Sequence, residues 1–157
     1  MQRVTARTDI IGRRNLLKWS AAGAFTLTLV PFSVGATPER VALAISKLVG
    51  GKQLKEGPIS ITLPEIAENG AVVALTVAVD SPMSTDDHIT AIHILADGNP
   101  LPDVASYFLG PHNGKAEISL RMRLAKTQKI VFAAETSKGE SYIASQMIKV
   151  TLGGCGG

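Results

Sequence analysis

The sequence predicts an all-β protein: an antiparallel β-sandwich preceded by one short helix and followed by a glycine-rich arm. Three observations predict this fold. Apolar and polar residues alternate with a period of two in several short segments, turn residues separate these segments, and no helical pattern lies between them. Apolar residues make up 45% of the 157-residue chain, enough for a core, but aromatic residues make up only 4%. The core must therefore consist mainly of Val, Ile, Leu and Ala.

The predicted helix begins at Thr37, a residue type that caps helix N-termini, followed by Pro38 and by Glu39 in the first turn. Gly50-Gly51 is expected to end it. Between them, apolar residues recur at helical spacing and predict one buried face. That face comprises Val41, Ala44, Ile45 and Leu48.

Six or seven strands are predicted after the helix. The segment 71–79 is rich in β-branched residues and is expected to be buried on both faces, whereas 116–124 alternates between apolar and charged residues. Turn chemistry in the sequences Asp97-Gly98-Asn99-Pro100 and Pro111-His112-Asn113-Gly114 separates neighbouring strands. The clearest strand segments are 59–63, 71–79, 89–96, 116–124, 129–135 and 142–152.

Residues 1–36 are predicted to be an export signal. The pair Arg13-Arg14 directly precedes the apolar stretch 19–34, which is shorter than the roughly 20 apolar residues that span a bilayer. The small residues of Val34-Gly35-Ala36 suit signal cleavage, which places the mature start near Thr37. This order resembles a bacterial twin-arginine translocation signal, which delivers folded proteins to the periplasm. An uncleaved membrane anchor is the alternative.

The charge distribution argues against a nucleic-acid partner. The whole chain has a formal net charge of +3, but residues 1–36 hold five basic residues against one acidic residue. The remainder, with 11 basic and 12 acidic residues, has a net charge of −1. The basic character therefore belongs to the leader, and the domain at 37–152 has no basic stripe of the kind that binds phosphate. No membrane association is expected once the leader is removed.

The chain ends in Gly153-Gly154-Cys155-Gly156-Gly157, which contains its only cysteine. Residues 153–157 have no large side chain and are predicted to form a flexible arm outside the core. Four extended residues beyond Thr151 would carry the thiol about 13 Å from the domain. No cation lies close in this sequence, and the terminal carboxylate disfavours a thiolate, so Cys155 is expected to be an ordinary nucleophile on its own.

Other chemistry is weakly indicated. The histidines His88, His93 and His112 do not share a spacing typical of metal ligands, so no metal site and no cofactor are expected. The sequence Asp86-Asp87-His88 is interpreted as a solvated loop rather than a catalytic cluster. Two residues follow Cys155, which excludes prenylation. A lone cysteine in an exported protein also joins copies of a chain by a disulfide, and a dimer linked through Cys155 remains open.

The C-terminal sequence resembles the SoxY family of the bacterial Sox sulfur-oxidation system. The resemblance rests on the terminal pentapeptide after Ile148-Lys149-Val150-Thr151. It extends to Asp97-Gly98-Asn99-Pro100 with Val104-Ala105, to Leu109-Gly110-Pro111, and to Arg121-Met122-Arg123-Leu124-Ala125.

The resemblance implies an immunoglobulin-like sandwich that forms a heterodimer with SoxZ. It implies that Cys155 is the covalent attachment point for thiosulfate-derived sulfur, on an arm formed by Gly153, Gly154, Gly156 and Gly157. It also implies transient docking to three enzymes: the c-type haem enzyme SoxAX, which joins thiosulfate to the cysteine, SoxB, which hydrolyses off sulfate, and a sulfur dehydrogenase, which oxidises the persulfide. The chain itself would be a carrier and not an enzyme.

Three alternative interpretations compete with the carrier hypothesis. An exported structural domain would use Cys155 only for an intermolecular disulfide. A diglycine carrier would use a terminal thiocarboxylate, which the export signal disfavours because that chemistry requires cytoplasmic ATP-dependent adenylation. A cysteine enzyme would need a base held near the thiol, and the sequence near Cys155 offers none.

Overall fold

The computed structural model describes residues 35–154, which form one α-helix and nine β-strands. Residues 1–34 and 155–157 lie outside the described residues, and with them the predictions on the export signal and the thiol. In chain order the elements are α1 (Pro38–Leu48), β1 (Leu54–Glu56), β2 (Ile59–Thr62), β3 (Ile66–Asn69), β4 (Val73–Val79), β5 (Ile89–Ala96), β6 (Asp103–Phe108), β7 (Ala116–Met122), β8 (Gln128–Thr136) and β9 (Ser141–Leu152).

Helix α1 begins as the sequence predicts. The hydroxyl of Thr37 accepts a hydrogen bond from the backbone N–H of Arg40 at 3.4 Å, with Pro38 at the first helical position. Val41 and Ile45 are buried as expected. The prediction for Leu48 is wrong: its side chain is 37% exposed, and Val49 is buried in its place. Val49 caps the helix, and the backbone turn there directs this side chain inward instead.

The strands form two sheets. The larger has the order β1-β9-β8-β5-β6, with β3 pairing the other half of β9, and the smaller has the order β2-β4-β7. Neighbours pair antiparallel, as predicted, except that the short strands β1 and β3 run parallel to β9. The all-β sandwich with one short N-terminal helix is therefore confirmed. Within residues 35–154, no helix has the length and apolar character needed to cross a bilayer.

The main core lies between the two sheets, and a second apolar layer lies between the larger sheet and α1. Val41, Ile45 and Val49 of the helix region cover Leu95 and Val131 on the outer face of that sheet. For this reason β5 and β8 are buried on both faces. The inter-sheet core contains Leu75, Val77, Ile92, Ile94, Phe132 and Ile148 among others.

The prediction that 71–79 is buried on both faces is wrong. Strand β4 begins only at Val73 and alternates, with one face on the core and the other exposed or half-buried. A run of apolar β-branched residues does not reveal whether a second layer covers the strand, and here α1 packs on the other sheet. Strands β1, β3 and β6 were not predicted, because they are short or lack clear alternation.

Candidate functional site

Strand β9 delivers the C-terminal segment to one corner of the larger sheet. Its first part pairs with β1 and its last part with β3, where Ala67 pairs with Val150 and Asn69 with Leu152. The hydroxyl of Thr127 accepts a hydrogen bond from the Val150 backbone N–H at 3.0 Å. The strand is thus held by β3 up to Leu152, three residues before Cys155, and on its other side by Thr127 up to Val150.

Three backbone hydrogen bonds connect the end of β9 to two loops. The N–H of Gly70 donates to the carbonyl of Leu152 at 2.7 Å, and the N–H of Leu124 donates to the carbonyl of Gly70 at 2.8 Å. The N–H of Gly154 then donates to the carbonyl of Leu124 at 2.8 Å. We call this arrangement, formed by Gly70, Leu124–Ala125 and Leu152–Gly154, the clasp.

The clasp changes the picture of the predicted arm. The sequence predicts that the arm leaves the domain at Gly153, yet Gly153 and Gly154 lie against the backbones of Ala125 and Gly70 respectively. The residue directly before Cys155 is therefore hydrogen-bonded to the domain. The mobility of the arm stays a prediction, because Cys155, Gly156 and Gly157 lie outside the described residues.

Asn99 holds the loop that carries Leu124. Its side-chain N–H donates to the carbonyl of Arg123 at 2.9 Å, and its side-chain oxygen accepts from the backbone N–H of Ala125 at 3.0 Å. Gln128, which is 3% exposed, donates to that same oxygen at 3.0 Å. The turn 97–100 and the segment 121–125, two of the stretches singled out in the sequence, are thus brought together beside the arm.

His93 lies in a separate polar network. Its ring is buried, with Nδ1 2.8 Å from the Ser106 hydroxyl and Nε2 3.3 Å from a Glu135 carboxylate oxygen. Lys52 contacts the other oxygen of Glu135 at 3.0 Å. Burial alone would raise the pKa of Glu135, but hydrogen bonds from Lys52 and His93 together lower that pKa below its ordinary value.

The His93 network is remote from the arm. His93 pairs with Ala133, which in turn pairs with Ile143. Ile143 lies nine residues before Leu152 on β9, which is about 30 Å at the rise of a strand. His93 therefore lies far along the sheet from the described end of the arm, and its contacts join β5, β6 and β8.

The remaining histidines also lie away from the clasp. The Nδ1 atom of His88 lies 3.0 Å from the Ser84 carbonyl just before β5, and His112 lies in an exposed 3-10 turn before β7. Asp87 pairs with Lys138 at 2.6 Å in an exposed loop. Within residues 35–154, no three His, Cys, Asp or Glu side chains are grouped to hold a metal ion.

A groove of about 490 Å³ lies between α1 and the outer face of the larger sheet. Val41, Ile45, Val131 and Ile143 line it, so its walls are largely apolar. It extends along the sheet from Ile143 to Lys129 and Asp97. Nothing in this groove resembles a catalytic arrangement, and it is a gap beside the helix.

The sequence did not reveal the residues that support the arm. Gly70 follows β3, which was not predicted. The sequence indicates Asn99 as a turn residue within a stretch that resembles the family, but it does not reveal which backbone groups the side chain binds, as Asn side chains commonly do. Its partners at 123–125 are over twenty residues away in sequence, so only the tertiary structure identifies them.

The chain matches the model of one protein family. The model of the family described as "Sulfur oxidation protein SoxY" matches residues 45–155, which include the cysteine. No protein of curated function matches the chain.

Solved structures with a similar fold include a SoxY protein and superoxide reductases. The sulfur carrier protein SoxY from Chlorobium limicola f thiosulfatophilum is 39% identical, with a TM-score of 0.62, over 73% of this chain and 98% of that chain. A superoxide reductase (neelaredoxin) from Ignicoccus hospitalis has a TM-score of 0.55 at 20% identity, over 74% of this chain and 95% of that one. A putative superoxide reductase from Thermotoga maritima has 0.52 at 22% identity, over 61% and 87%. The reductases share the fold alone.

Proposed function

The chain belongs to the SoxY family of sulfur oxidation proteins, and on that premise we propose that it binds thiosulfate-derived intermediates covalently on Cys155. The observation that carries this proposal is the family match over residues 45–155, which reaches the cysteine. The 39% identity to a sulfur carrier protein supports it. The structure adds that the last strand and the clasp lead directly to this residue.

In the proposed chemistry the Cys155 thiol holds the substrate covalently, and no cofactor on this chain is needed. A c-type haem partner of the SoxAX kind removes two electrons as the Cys155 thiolate and the outer sulfur of thiosulfate form a sulfur–sulfur bond. The product is a cysteine S-thiosulfonate. A hydrolase of the SoxB kind then adds water, which releases sulfate and two protons and leaves a cysteine persulfide. A sulfur dehydrogenase oxidises the remaining sulfur.

The family implies a Sox-system partner context, and within it we propose a heterodimer with SoxZ. We further propose that the chain works in the periplasm after export by the twin-arginine route, as Arg13 and Arg14 predict. The periplasm suits the chemistry, since cytoplasmic reductants would remove a persulfide or thiosulfonate from an accessible cysteine.

The test is intact mass spectrometry of the protein purified from the periplasm with its partners, after incubation with thiosulfate and the haem-containing oxidant. We expect one thiosulfate unit per chain, removed by a thiol reductant, and a shift to the persulfide mass after the hydrolase is added. The variant Cys155→Ser should show no adduct and should not support thiosulfate oxidation.

Two results contradict the carrier. If the chain remained unmodified while a disulfide-linked dimer accumulated, Cys155 would serve only to crosslink copies of an exported domain. If Cys155→Ser still supported thiosulfate oxidation, a terminal thiocarboxylate at Gly157 would account for the activity instead.

A further inference from the structure

We propose that the clasp sets the origin of the carrier arm, and that Gly70, Gly153 and Gly154 are positioning residues required for close backbone packing. The inference rests on the proposed function of Cys155. The sequence suggests that the glycines before Cys155 serve only to make the chain flexible, and the proposal differs from that expectation.

Steric fit is the first argument. A Cβ on Gly153 would overlap the carbonyl oxygen of Ala125, and a Cβ on Gly154 would overlap the Gly70–Ala71 peptide. A Cβ on Gly70 would in turn overlap the carbonyl oxygen of Leu124. Each obstacle is backbone, which cannot rotate aside as a side chain can. None of the three has a left-handed φ, so lack of space is the reason that glycine is needed there.

Backbone hydrogen bonds link the same segments that the glycines bring together. Leu152, Gly70, Leu124 and Gly154 are linked in series by three bonds of 2.7–2.8 Å between three separate chain segments. Backbone bonds of this length form between residues of any type, but here the bonded segments also lie where an added Cβ would overlap backbone atoms. A Cβ at Gly70, Gly153 or Gly154 would therefore push the segments apart and break bonds of this series.

The loop on the other side of the clasp is itself fixed. Asn99 binds the loop at Arg123 and Ala125, and Gln128 anchors Asn99. The backbone N–H of Gly98 donates to Gln128 at 2.8 Å, and the hydroxyl of Thr127 accepts from Val150 at 3.0 Å. Leu124, whose side chain is fully buried, therefore offers Gly154 a stationary acceptor.

The clasp reduces the distance that the Cys155 thiol can reach from the domain. A free chain of four residues beyond Thr151 would extend about 13 Å, but only one residue, about 3.3–3.6 Å of extended chain, separates Cys155 from a fixed Gly154. An enzyme that processes the loaded sulfur must therefore approach the corner of the domain formed by Gly70 and Ala125, as long as the clasp stays closed. The clasp thus orients the sulfur group bound to Cys155 but limits how far that group can extend from the domain.

The test uses the full chain, labelled with ¹⁵N and carrying a nitroxide on Cys155, its only cysteine. We expect paramagnetic broadening concentrated on the amides of residues 70–72 and 124–126. In the ¹⁵N-labelled protein without the nitroxide, we expect hydrogen exchange of the Gly154 amide to be slowed at least about tenfold relative to an unstructured peptide. Broadening spread over the whole surface, or an unprotected Gly154 amide, would overturn the proposal even without any variant.

Matched variants separate packing from flexibility. Gly154→Ala and Gly156→Ala stiffen the arm equally, but only the first places a Cβ inside the clasp. We expect Gly154→Ala to spread the broadening and to abolish protection of the amide at position 154, which donates to the Leu124 carbonyl in wild type, whereas Gly156→Ala preserves the wild-type pattern. Asn99→Ala should act in the same direction as Gly154→Ala. An unchanged pattern in Gly154→Ala contradicts the proposal.

The loading assay distinguishes the two hypotheses. If thiosulfate modifies Cys155 while the broadening is diffuse, the carrier function stands and the clasp fails. If the broadening is localised but no adduct forms, the clasp stands and the carrier function fails.

Discussion

At the scale of single residues, glycines in this chain meet two different physical requirements. Gly50 and Gly51 follow α1 with φ values of +64° and +73°, where a Cβ would strain the backbone although there is room for it. Gly153 and Gly154 have ordinary φ values but no room for a Cβ. The same residue type thus ends a helix in one place and admits a neighbouring backbone in the other.

The Glu135 carboxylate gives a prediction at this scale. Its pKa is lowered below 4.5, because hydrogen bonds from Lys52 and His93 outweigh the effect of burial. A carboxylate with a depressed pKa contributes stability that is complete above its unfolded value and is lost as the pH falls through the folded value. We expect the free energy of unfolding of wild type to exceed that of Glu135→Gln at pH 6. The difference should shrink below about pH 4.5.

Urea unfolding at a series of pH values from 6 to 3 measures this difference. Lys52→Met is the matched control, because it keeps the carboxylate but removes its cation. It should reduce the pH dependence without abolishing it. Parallel curves for wild type and Glu135→Gln down to pH 3 would show that the network does not favour the ionised form.

At the scale of elements, α1 is what buries the outer faces of β5 and β8. Without it, Leu95 and Val131 would expose apolar side chains on the outer face of the larger sheet. Only one face of the helix covers the sheet: Val41 and Ile45, one turn apart, are buried, whereas Leu43 is 63% exposed. Its contribution to stability therefore rests on a narrow stripe of contacts.

We expect Ile45→Ala to lower the free energy of unfolding by about 2–4 kcal/mol, because it removes buried methyl groups and leaves a cavity under the helix. Leu43→Ala is the matched control on the same helix, and it should change stability by less than about 0.5 kcal/mol. Chemical denaturation measures both. Equal effects of the two variants would mean that α1 does not pack on the sheet as described.

At the scale of the whole molecule, the sandwich brings the chain end and its supports to one corner. β3, the turn at 97–100 and the loop at 123–127 are distant in sequence, and the pairing of β3 with β9 and the contacts of Asn99 unite them. A site assembled from so many segments requires the whole domain to be folded first. That requirement suits an export route that carries folded proteins.

The proposed route gives a prediction for the whole chain. Replacing both Arg13 and Arg14 by Lys should keep the precursor in the cytoplasm, because the twin-arginine system recognises the pair rather than its charge. Arg3→Lys with Arg7→Lys is the matched control in the same leader and should leave export unchanged. Immunoblots of cytoplasmic and periplasmic fractions measure the result. Efficient export of the Arg13, Arg14 variant would exclude this route.

The sequence alone determined the sandwich, the helix start at Thr37, most strand positions and the family, because alternation, capping and terminal motifs are local patterns. Burial on both faces of β5 and β8, the parallel pairing of β3 and the partners of Asn99 were decided only in the tertiary structure. Each depends on which surface packs against a distant segment. The same holds for Gly153 and Gly154: their lack of a Cβ is visible in the sequence, but the backbone atoms of Ala125 and Gly70 that make it necessary are brought there only by folding.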